Sequence, residues 1–205
     1  MLIGTHNRGK ATELSHLLAG LRIEFLTLND VPETKPVRET GETFEENAIL
    51  KAVGYAKQTR LLTIADDSGL EVDALDGSPG VLSARYAGRG ASDAERIDYL
   101  LAQLDRSGRT ERTARFVSVV AVADPVKGVI QTKQGICEGR IIESPRGANG
   151  FGYDPIFVPN GYQQTFAELS SASKDEISHR GRALHAIRPF LAQLGTSLDH
   201  DDRAS

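Results

Sequence analysis

Two consecutive carboxylates, Asp66 and Asp67, directly follow the apolar run 61–65 and are followed by Ser68 and a glycine. An apolar run that ends in turn residues is typical of a buried strand, so we expect a strand that ends at the two aspartates. Ligands collect outside the carboxyl ends of strands in open α/β sheets. Two like charges there are energetically costly unless a cation or a phosphate-bound metal neutralises them. In isolation, the same four residues would more often form a turn that an aspartate caps through its own backbone.

A second polar segment, residues 5–10, lies between a predicted strand at 2–3 and a predicted helix at 11–18. Free N–H groups and the positive end of the dipole attract anions to the start of a helix. Within the segment, Gly9 permits close approach and Lys10 supplies a positive charge. The segment therefore predicts a phosphate contact, although it lacks the spacing of a Walker loop. An ordinary strand-to-helix connection remains an equal alternative.

An acidic stretch, residues 38–42, precedes the next predicted helix. A carboxylate from this stretch and one from the aspartate pair could share a Mg²⁺ ion, which needs only one or two protein ligands because it keeps several waters. The alternative is a solvated acidic loop, and for Glu42 we favour that interpretation.

Glycines and aromatic residues alternate in the segment 145–157. Such a backbone can close on a flat ring, and Phe151 or Tyr153 could stack on a nucleobase. Asp154 could accept a hydrogen bond from the base. A rigid turn into a strand is the structural alternative, but it leaves the density of glycine and aromatic residues unexplained.

A fourth candidate group consists of Lys174, His179 and Arg180 near the start of the last predicted helix. These three residues do not share one helical stripe, so we expect them to converge only around the first turns. A lone histidine there would more often be structural; beside Ser178 and Arg180 the two interpretations are about equal.

The pattern of elements predicts an α/β fold with a mixed sheet flanked by helices. Three capping boxes predict helix starts at Thr43, Ser92 and Ser173. A turn between the β-rich stretches 113–123 and 129–142 predicts a hairpin. Further predictions are a strand at 23–28, a last helix that is kinked at Pro189 and stops at Gly195, a single domain over residues 1–198, and a frayed tail at 199–205.

Composition limits the function classes. The 205 residues are 40% hydrophobic and 25% charged, with no apolar run of membrane-spanning length and no signal peptide, so we expect a cytoplasmic protein without membrane partners. The formal net charge of −4 argues against nucleic acid as a partner. Cys137 is the only cysteine, which excludes internal disulfides and cysteine-rich zinc sites.

Six motifs in order closely resemble the inosine triphosphate pyrophosphatase (Ham1-like) family, over nearly the whole chain. They are Thr5-x-Asn7-x-x-Lys10-x-x-Glu13, Glu39-Thr40-Gly41-x-Thr43-Phe44-x-Glu46-Asn47-Ala48, Ala65-Asp66-Asp67-Ser68-Gly69-Leu70, Pro79-Gly80-x-x-Ser83-Ala84-Arg85-Tyr86, Gly150-Phe151-Gly152-Tyr153-Asp154-Pro155-Ile156-Phe157 and Ser178-His179-Arg180-Gly181.

The resemblance implies a homodimeric enzyme with an elongated central sheet and two lobes with a cleft between them. It implies hydrolysis of ITP, dITP and XTP to the monophosphate and pyrophosphate with Mg²⁺. Asp67 would be the catalytic base and a metal ligand. The family often has a Glu-Glu pair before Thr-Gly, and here Arg38 takes the first position. If that first glutamate is the second metal ligand in the family, then either Glu39 substitutes for it or the metal is held more by water. The implied substrate-binding residues are Thr5, His6, Asn7, Arg8, Gly9, Lys10, Ser68, Phe151, Gly152, Tyr153, Asp154, Lys174, His179 and Arg180.

Two alternatives remain open. A Maf-like nucleotide pyrophosphatase would share the architecture and the chemistry but prefer another base. A non-catalytic nucleotide-binding module would use the same phosphate contacts without a base. We expect water to attack the α-phosphorus, with Asp67 ionised and its pKa lowered by the adjacent Mg²⁺.

Overall fold

The computed structural model describes residues 1–201, and of residues 196–201 only the backbone. The chain forms two compact units. Unit 1 comprises Met1–Asp67, Val119–Gly135 and the segment from Gly181, and unit 2 comprises Ser68–Ser118 and Ile136–Arg180.

Six strands form one sheet in the order β2-β1-β3-β4-β5-β6. β1 pairs in parallel with β2 and with β3, whereas β5 and β6 pair antiparallel. The predicted mixed sheet of an α/β fold is therefore confirmed. The strands are β1 (Leu2–Ile3), β2 (Leu26–Thr27), β3 (Thr63–Val72), β4 (Thr113–Asp124), β5 (Gly128–Ile141) and β6 (Phe157–Pro159), and the helices are α1 (Arg8–Leu17), α2 (Phe44–Thr59), α3 (Asp93–Ser107), α4 (Ser171–Ile177) and α5 (His179–Asp201).

The first two predicted capping boxes are confirmed. Thr43 caps α2 and Ser92 caps α3. In both boxes the side-chain oxygen of the cap residue accepts the backbone amide of the glutamate three residues later, and the side chain of that glutamate accepts the backbone amide of the cap residue. These reciprocal bonds satisfy N–H groups that no intrahelical carbonyl can reach. Phe44, Ala48, Ala52 and Ala56 recur at every fourth position of α2 and are all buried, so this apolar stripe is the face on which α2 packs.

The predicted hairpin is also confirmed, since β4 and β5 are neighbours in the sheet and only three residues separate them. Asp124 Oδ1 accepts the amides of Val126 and Lys127 at 2.8 Å each. This local bonding is the usual action of an aspartate at the start of a turn.

The prediction that a strand ends at Asp66 and Asp67 is wrong. β3 continues through both residues to Val72, and Leu70 and Val72 are fully buried. Ser68 and Gly69 are residue types typical of turns, but burial of the apolar residues that follow them keeps the backbone extended. The two carboxylates therefore project from the middle of a buried strand.

Two helix predictions are also wrong. Ser170, not Ser173, caps α4, because its side chain accepts the Ser173 amide. α5 does not stop at Gly195 but continues to Asp201. A Cβ at Gly195 would lie 2.8 Å from Arg22 O, so this glycine permits a close approach and does not terminate the helix. Residues 202–205 of the predicted tail lie outside the described residues.

Helix α1 begins at Arg8, three residues before the predicted start, because Asn7 caps it. β2 spans only Leu26–Thr27 of the predicted strand at 23–28. Local propensity thus located both elements but not their bounds.

Each unit buries its own hydrophobic core. The core of unit 1 contains residues from β1, β3, β4, α1 and α5, and that of unit 2 contains residues from β3, α3, β4, β5 and β6. Within the described part of the chain, no helix combines the length and the apolar character needed to span a membrane.

Substitution of Gly139 tests the contact between β5 and β6. It pairs with Pro159, and a Cβ there would collide with Val158 O and lie 2.6 Å from Phe157 Cζ. We expect Gly139→Ala to lower the free energy of unfolding by about 1–3 kcal/mol, the usual cost of overpacking, measured by urea denaturation. The exposed neighbour change Arg140→Ala should alter it by less than about 0.5 kcal/mol. Equal effects of the two changes would contradict the described packing.

Candidate active site

Five charged residues of unit 1 converge on β3, and we call them the acidic cluster: Lys10, Glu39, Lys51, Asp66 and Asp67. Lys51 Nζ lies 2.7 Å from Asp67 Oδ1 and 3.6 Å from Glu39 Oε1. Lys10 Nζ lies 3.3 Å from Asp66 Oδ2. Both aspartates are at least 95% buried. Two charged pairs are therefore held in the interior, where each carboxylate depends on its cation.

Helix α2 places Lys51 in the cluster and also fixes the loop that contains Glu39. Asn47, one turn before Lys51, accepts the Gly41 amide at 2.8 Å and donates to the Gly41 carbonyl at 3.2 Å. A Cβ at Gly41 would lie 2.6 Å from Glu46 Cβ, so only glycine permits this approach. The amide of Asn47 thus anchors the backbone two residues after Glu39.

Burial controls the electrostatics of the cluster. It raises the pKa of the Asp67 carboxyl, and the opposing effects of Lys51 and Lys10 do not cancel that increase. Burial also disfavours the Lys51 ammonium, but Asp67, Asp66 and Glu39 together raise the pKa of Lys51 above its usual value. The expectation that an adjacent Mg²⁺ lowers the pKa of Asp67 concerns the metal-bound site and stays a prediction.

The donor set of the cluster is compatible with one divalent cation. Three carboxylates face two ammonium groups, so the cluster has a net charge of −1 when all are ionised. Asp67 Oδ2 is buried and has no hydrogen-bond partner among the described residues. Over the same residues, no group of three or more His, Cys, Asp or Glu residues could hold a metal. Asp67 and Glu39 would suit Mg²⁺, which takes one or two carboxylates and fills its shell with water and phosphate oxygens.

The predicted phosphate segment forms the start of α1. Asn7 Oδ1 accepts the Lys10 amide at 3.0 Å, and Thr5 Oγ1 accepts the Asn7 amide at 3.2 Å. Arg8 and Gly9 lie in the first turn. The exposed His6 packs its ring edge against Tyr55 at 5.9 Å between centroids. The segment therefore presents a capped helix start, with Lys10 directed to the acidic cluster.

A second group, in unit 2, surrounds an aromatic ring, and we call it the Phe151 platform: Phe151, Asp154, Lys174 and Arg180. Lys174 Nζ lies 5.2 Å and Arg180 Cζ 5.7 Å from the Phe151 ring centroid. Asp154 Oδ2 accepts from Lys174 Nζ at 2.6 Å and from the Phe151 amide at 2.9 Å. Arg180 Nη2 also donates to Ser68 Oγ at 2.8 Å. Five of the predicted substrate-binding residues thus lie together.

Two further predicted residues have structural contacts. The ring of Tyr153 is only 3% exposed, and its hydroxyl donates to Ser83 O at 3.0 Å. Burial raises the pKa of the Tyr153 phenol, which keeps this donor protonated. His179 is also buried and stacks on Phe116 with centroids 4.7 Å apart. Phe151, which is partly exposed, is therefore the candidate for base stacking.

The sequence predicted that Lys174 and Arg180 converge around the first turns of a single helix, and this prediction is wrong. α4 ends at Ile177, Ser178 adopts an extended ψ of 157°, and α5 begins at His179. This break between two helices brings both cations to the same ring.

Lys51 is the residue of the acidic cluster that the sequence analysis missed. A signal was present, because Lys51 lies four residues after Asn47, beside the apolar stripe of α2. Lysine is rarely buried without a partner, so a lysine at such a position indicates a buried carboxylate.

Comparisons with known proteins identify the family of the chain. The model of the Ham1 family matches residues 1–190. The chain belongs to the Ham1 family. It is 50% identical over 196 residues to a dITP/XTP pyrophosphatase of Bacillus anthracis. The match covers 94% of this chain and 96% of that relative.

Solved structures of other members of the Ham1 family are also similar. A HAM1 protein from Coxiella burnetii has 43% identity and a TM-score of 0.83, and the match covers 97% of this chain and 98% of that one. A nucleoside-triphosphatase / dITP/XTP pyrophosphatase from Mycobacterium abscessus has 49% identity and a TM-score of 0.72, with 92% and 98% covered.

Removing Lys51 tests the buried pair. Lys51→Met leaves Asp67 buried without its nearest cation, so we expect the free energy of unfolding to fall by about 3–5 kcal/mol. The double variant Lys51→Met with Asp67→Asn removes both charges and should recover much of that loss. Chemical denaturation of the wild type, both single variants and the double variant measures the coupling. A coupling near zero would contradict the pair.

Proposed function

We propose that this chain hydrolyses the non-standard purine nucleoside triphosphates ITP, dITP and XTP to the monophosphate and pyrophosphate. The observation that carries the proposal is the buried Asp67 carboxylate, one oxygen of which is paired with Lys51 while the other is unpaired among the described residues. A binding module does not need such an oxygen. Membership of a family in which relatives are named dITP/XTP pyrophosphatases supports the same reaction.

Asp67 acts on the attacking water. Its ionised carboxylate accepts a proton of the water, whose oxygen forms a bond to the α-phosphorus while the bond from the α-phosphorus to the bridging oxygen breaks and pyrophosphate leaves. General-base catalysis of this kind contributes about 10²- to 10⁴-fold to a rate. Lys51 favours the ionised form by its charge and holds Oδ1 in place, so that Oδ2 remains for the water or a metal ion.

Positive charge offsets the negative charge that develops on the phosphate oxygens. Lys10 and the capped start of α1 provide a fixed cation and helix-terminal N–H groups. A Mg²⁺ ion held by Asp67 and Glu39 would supply Lewis-acid polarisation of the phosphoryl oxygens. Preorganised charges of this kind need no rearrangement during the reaction.

The Phe151 platform is suited to a purine base. The ring offers a stacking face, and Lys174 and Arg180 are donors beside it. Hypoxanthine and xanthine present O6 as an acceptor, whereas adenine presents an amino donor at the same position. Donors facing the 6-position would stay unpaired with adenine, at a cost of about 1–3 kcal/mol each.

We further propose that the protein is a homodimer, as the resemblance implies, and that it acts in the cytoplasm. An enzyme that removes unwanted nucleotides acts where the nucleotide pool is, which is the reason for the compartment.

One assay tests the reaction. We expect pyrophosphate release from ITP, dITP and XTP, little from dATP or UTP, and none without a divalent cation. Asp67→Asn should lower kcat by about 10²- to 10⁴-fold while nucleotide binding remains measurable by calorimetry, because the amide cannot accept the proton.

Matched controls separate the alternatives. The exposed Asp98→Asn on α3 should leave turnover unchanged. Release from UTP alone would identify a Maf-like base preference, and binding without release from any nucleotide would identify a binding module. Near-normal turnover by Asp67→Asn would remove Asp67 from its role.

Substitution of Phe151 tests whether its ring stacks on the base. Phe151→Ala removes the stacking face, so we expect KM for dITP to rise roughly 5- to 150-fold, corresponding to about 1–3 kcal/mol, with a smaller change in kcat. Phe151→Tyr keeps the aromatic face and should stay near the wild-type KM. Steady-state kinetics of the three proteins measures the effect, and an equal KM for Phe151→Ala and wild type would refute stacking.

A further inference from the structure

The segment that contains Phe151 is tied to the start of α3 and to the turn before it. Gly152 donates its amide to Asp93 Oδ2 at 2.7 Å, and the Tyr153 hydroxyl donates to Ser83 O at 3.0 Å. The first contact joins residues that are 59 positions apart in the sequence, and the second joins residues that are 70 positions apart. The residues on either side of this amide therefore depend on a distant carboxylate.

Asp93 is itself held in place. Its Oδ1 pairs with Arg96 Nη2 one turn further along α3, and Arg96 Nη1 donates to the carbonyls of Ala84 and Ala91. Both oxygens of the carboxylate are thus engaged, one by a guanidinium and one by a main-chain amide. Hydrogen bonds to ionised groups are shorter and stronger than those between neutral groups.

Packing does not fix Gly152. Its φ is +64°, a conformation that side chains rarely adopt, and a Cβ built there would meet no atom within 4 Å. Two hydrogen bonds orient this peptide unit instead: Phe151 O accepts the Asp154 amide at 3.3 Å, and the Gly152 amide donates to Asp93 at the shorter distance of 2.7 Å. Phe151 is the preceding residue, so the same peptide unit sets the direction from which its ring projects.

We propose that Asp93 is a positioning residue for the Phe151 platform. Asp93 does not contact the nucleotide; it holds the Gly152 amide and thereby the Phe151 ring in the orientation that a base stacks on, and Arg96 orients Asp93. The effect on catalysis rests on the proposed function, whereas the effect on the segment 149–153 does not. The simpler alternative is that Asp93 only stabilises the start of α3, as an acidic residue in a first helical turn does.

Three variants separate these roles. Asp93→Ala removes the acceptor for Gly152. Asp93→Asn keeps a carbonyl oxygen that can accept the same amide. Ser92→Ala removes the cap of α3 and weakens the same helix end without touching Gly152. Should the alanine variant fail to fold, Asp93→Ser replaces it, because serine is tolerated in a first helical turn and its hydroxyl is too short for the bond.

Two measurements are made on each protein: hydrogen–deuterium exchange of the segment 149–153, and KM and kcat for dITP. We expect Asp93→Ala to exchange faster in that segment and to raise KM about 10-fold or more, with kcat within about 2-fold of wild type. Asp93→Asn should recover part of both effects, because its oxygen can accept the Gly152 amide while its NH2 group cannot pair with Arg96. Ser92→Ala should lower thermal stability but change neither exchange of 149–153 nor KM.

Unchanged exchange of 149–153 in Asp93→Ala overturns the proposal, and so does an equal rise of KM in Ser92→Ala. A wild-type protein that cleaves none of the nucleotides refutes the proposed function instead. In that case the exchange data still decide whether Asp93 positions the segment.

Discussion

Three consecutive residues of β3 are each bonded to a cation from a different helix, and the interior depends on these contacts. Asp66 pairs with Lys10 of α1, Asp67 pairs with Lys51 of α2, and Ser68 accepts a hydrogen bond from Arg180 of α5. Isolated charges in the middle of a buried strand would cost several kcal/mol each. Lys10 and Lys51 offset that cost for the two aspartates and tie α1 and α2 to β3.

The features that the sequence predicted correctly are those determined locally. A capping box involves only four consecutive residues, so Thr43 and Ser92 could be identified without knowledge of the rest of the fold. The turn at Asp124 is equally local. The apolar run before the carboxylate pair predicts a buried strand, which the structure confirms, although the strand does not end at the pair.

The features that could not be predicted depend on contacts between distant segments. Ser68 and Gly69 have turn composition, yet burial of Leu70 keeps the strand extended, and burial is a tertiary property. Ser170 caps α4, although Ser173, three residues later, begins a sequence that also fits the capping-box pattern. Neither the partner of Lys51 nor the bond from Gly152 to Asp93 has a signal in sequence spacing, because 16 and 59 positions separate the partners.

The buried ammonium of Lys51 has a consequence for how the protein is produced in the cell. Glu39 and Asp67 both face this ammonium, so their mutual repulsion is already compensated by the chain itself. Folding therefore does not have to wait for a divalent ion, in contrast to small metal-dependent domains that remain unfolded until loaded. A newly synthesised chain thus carries its own counter-charge for these two carboxylates.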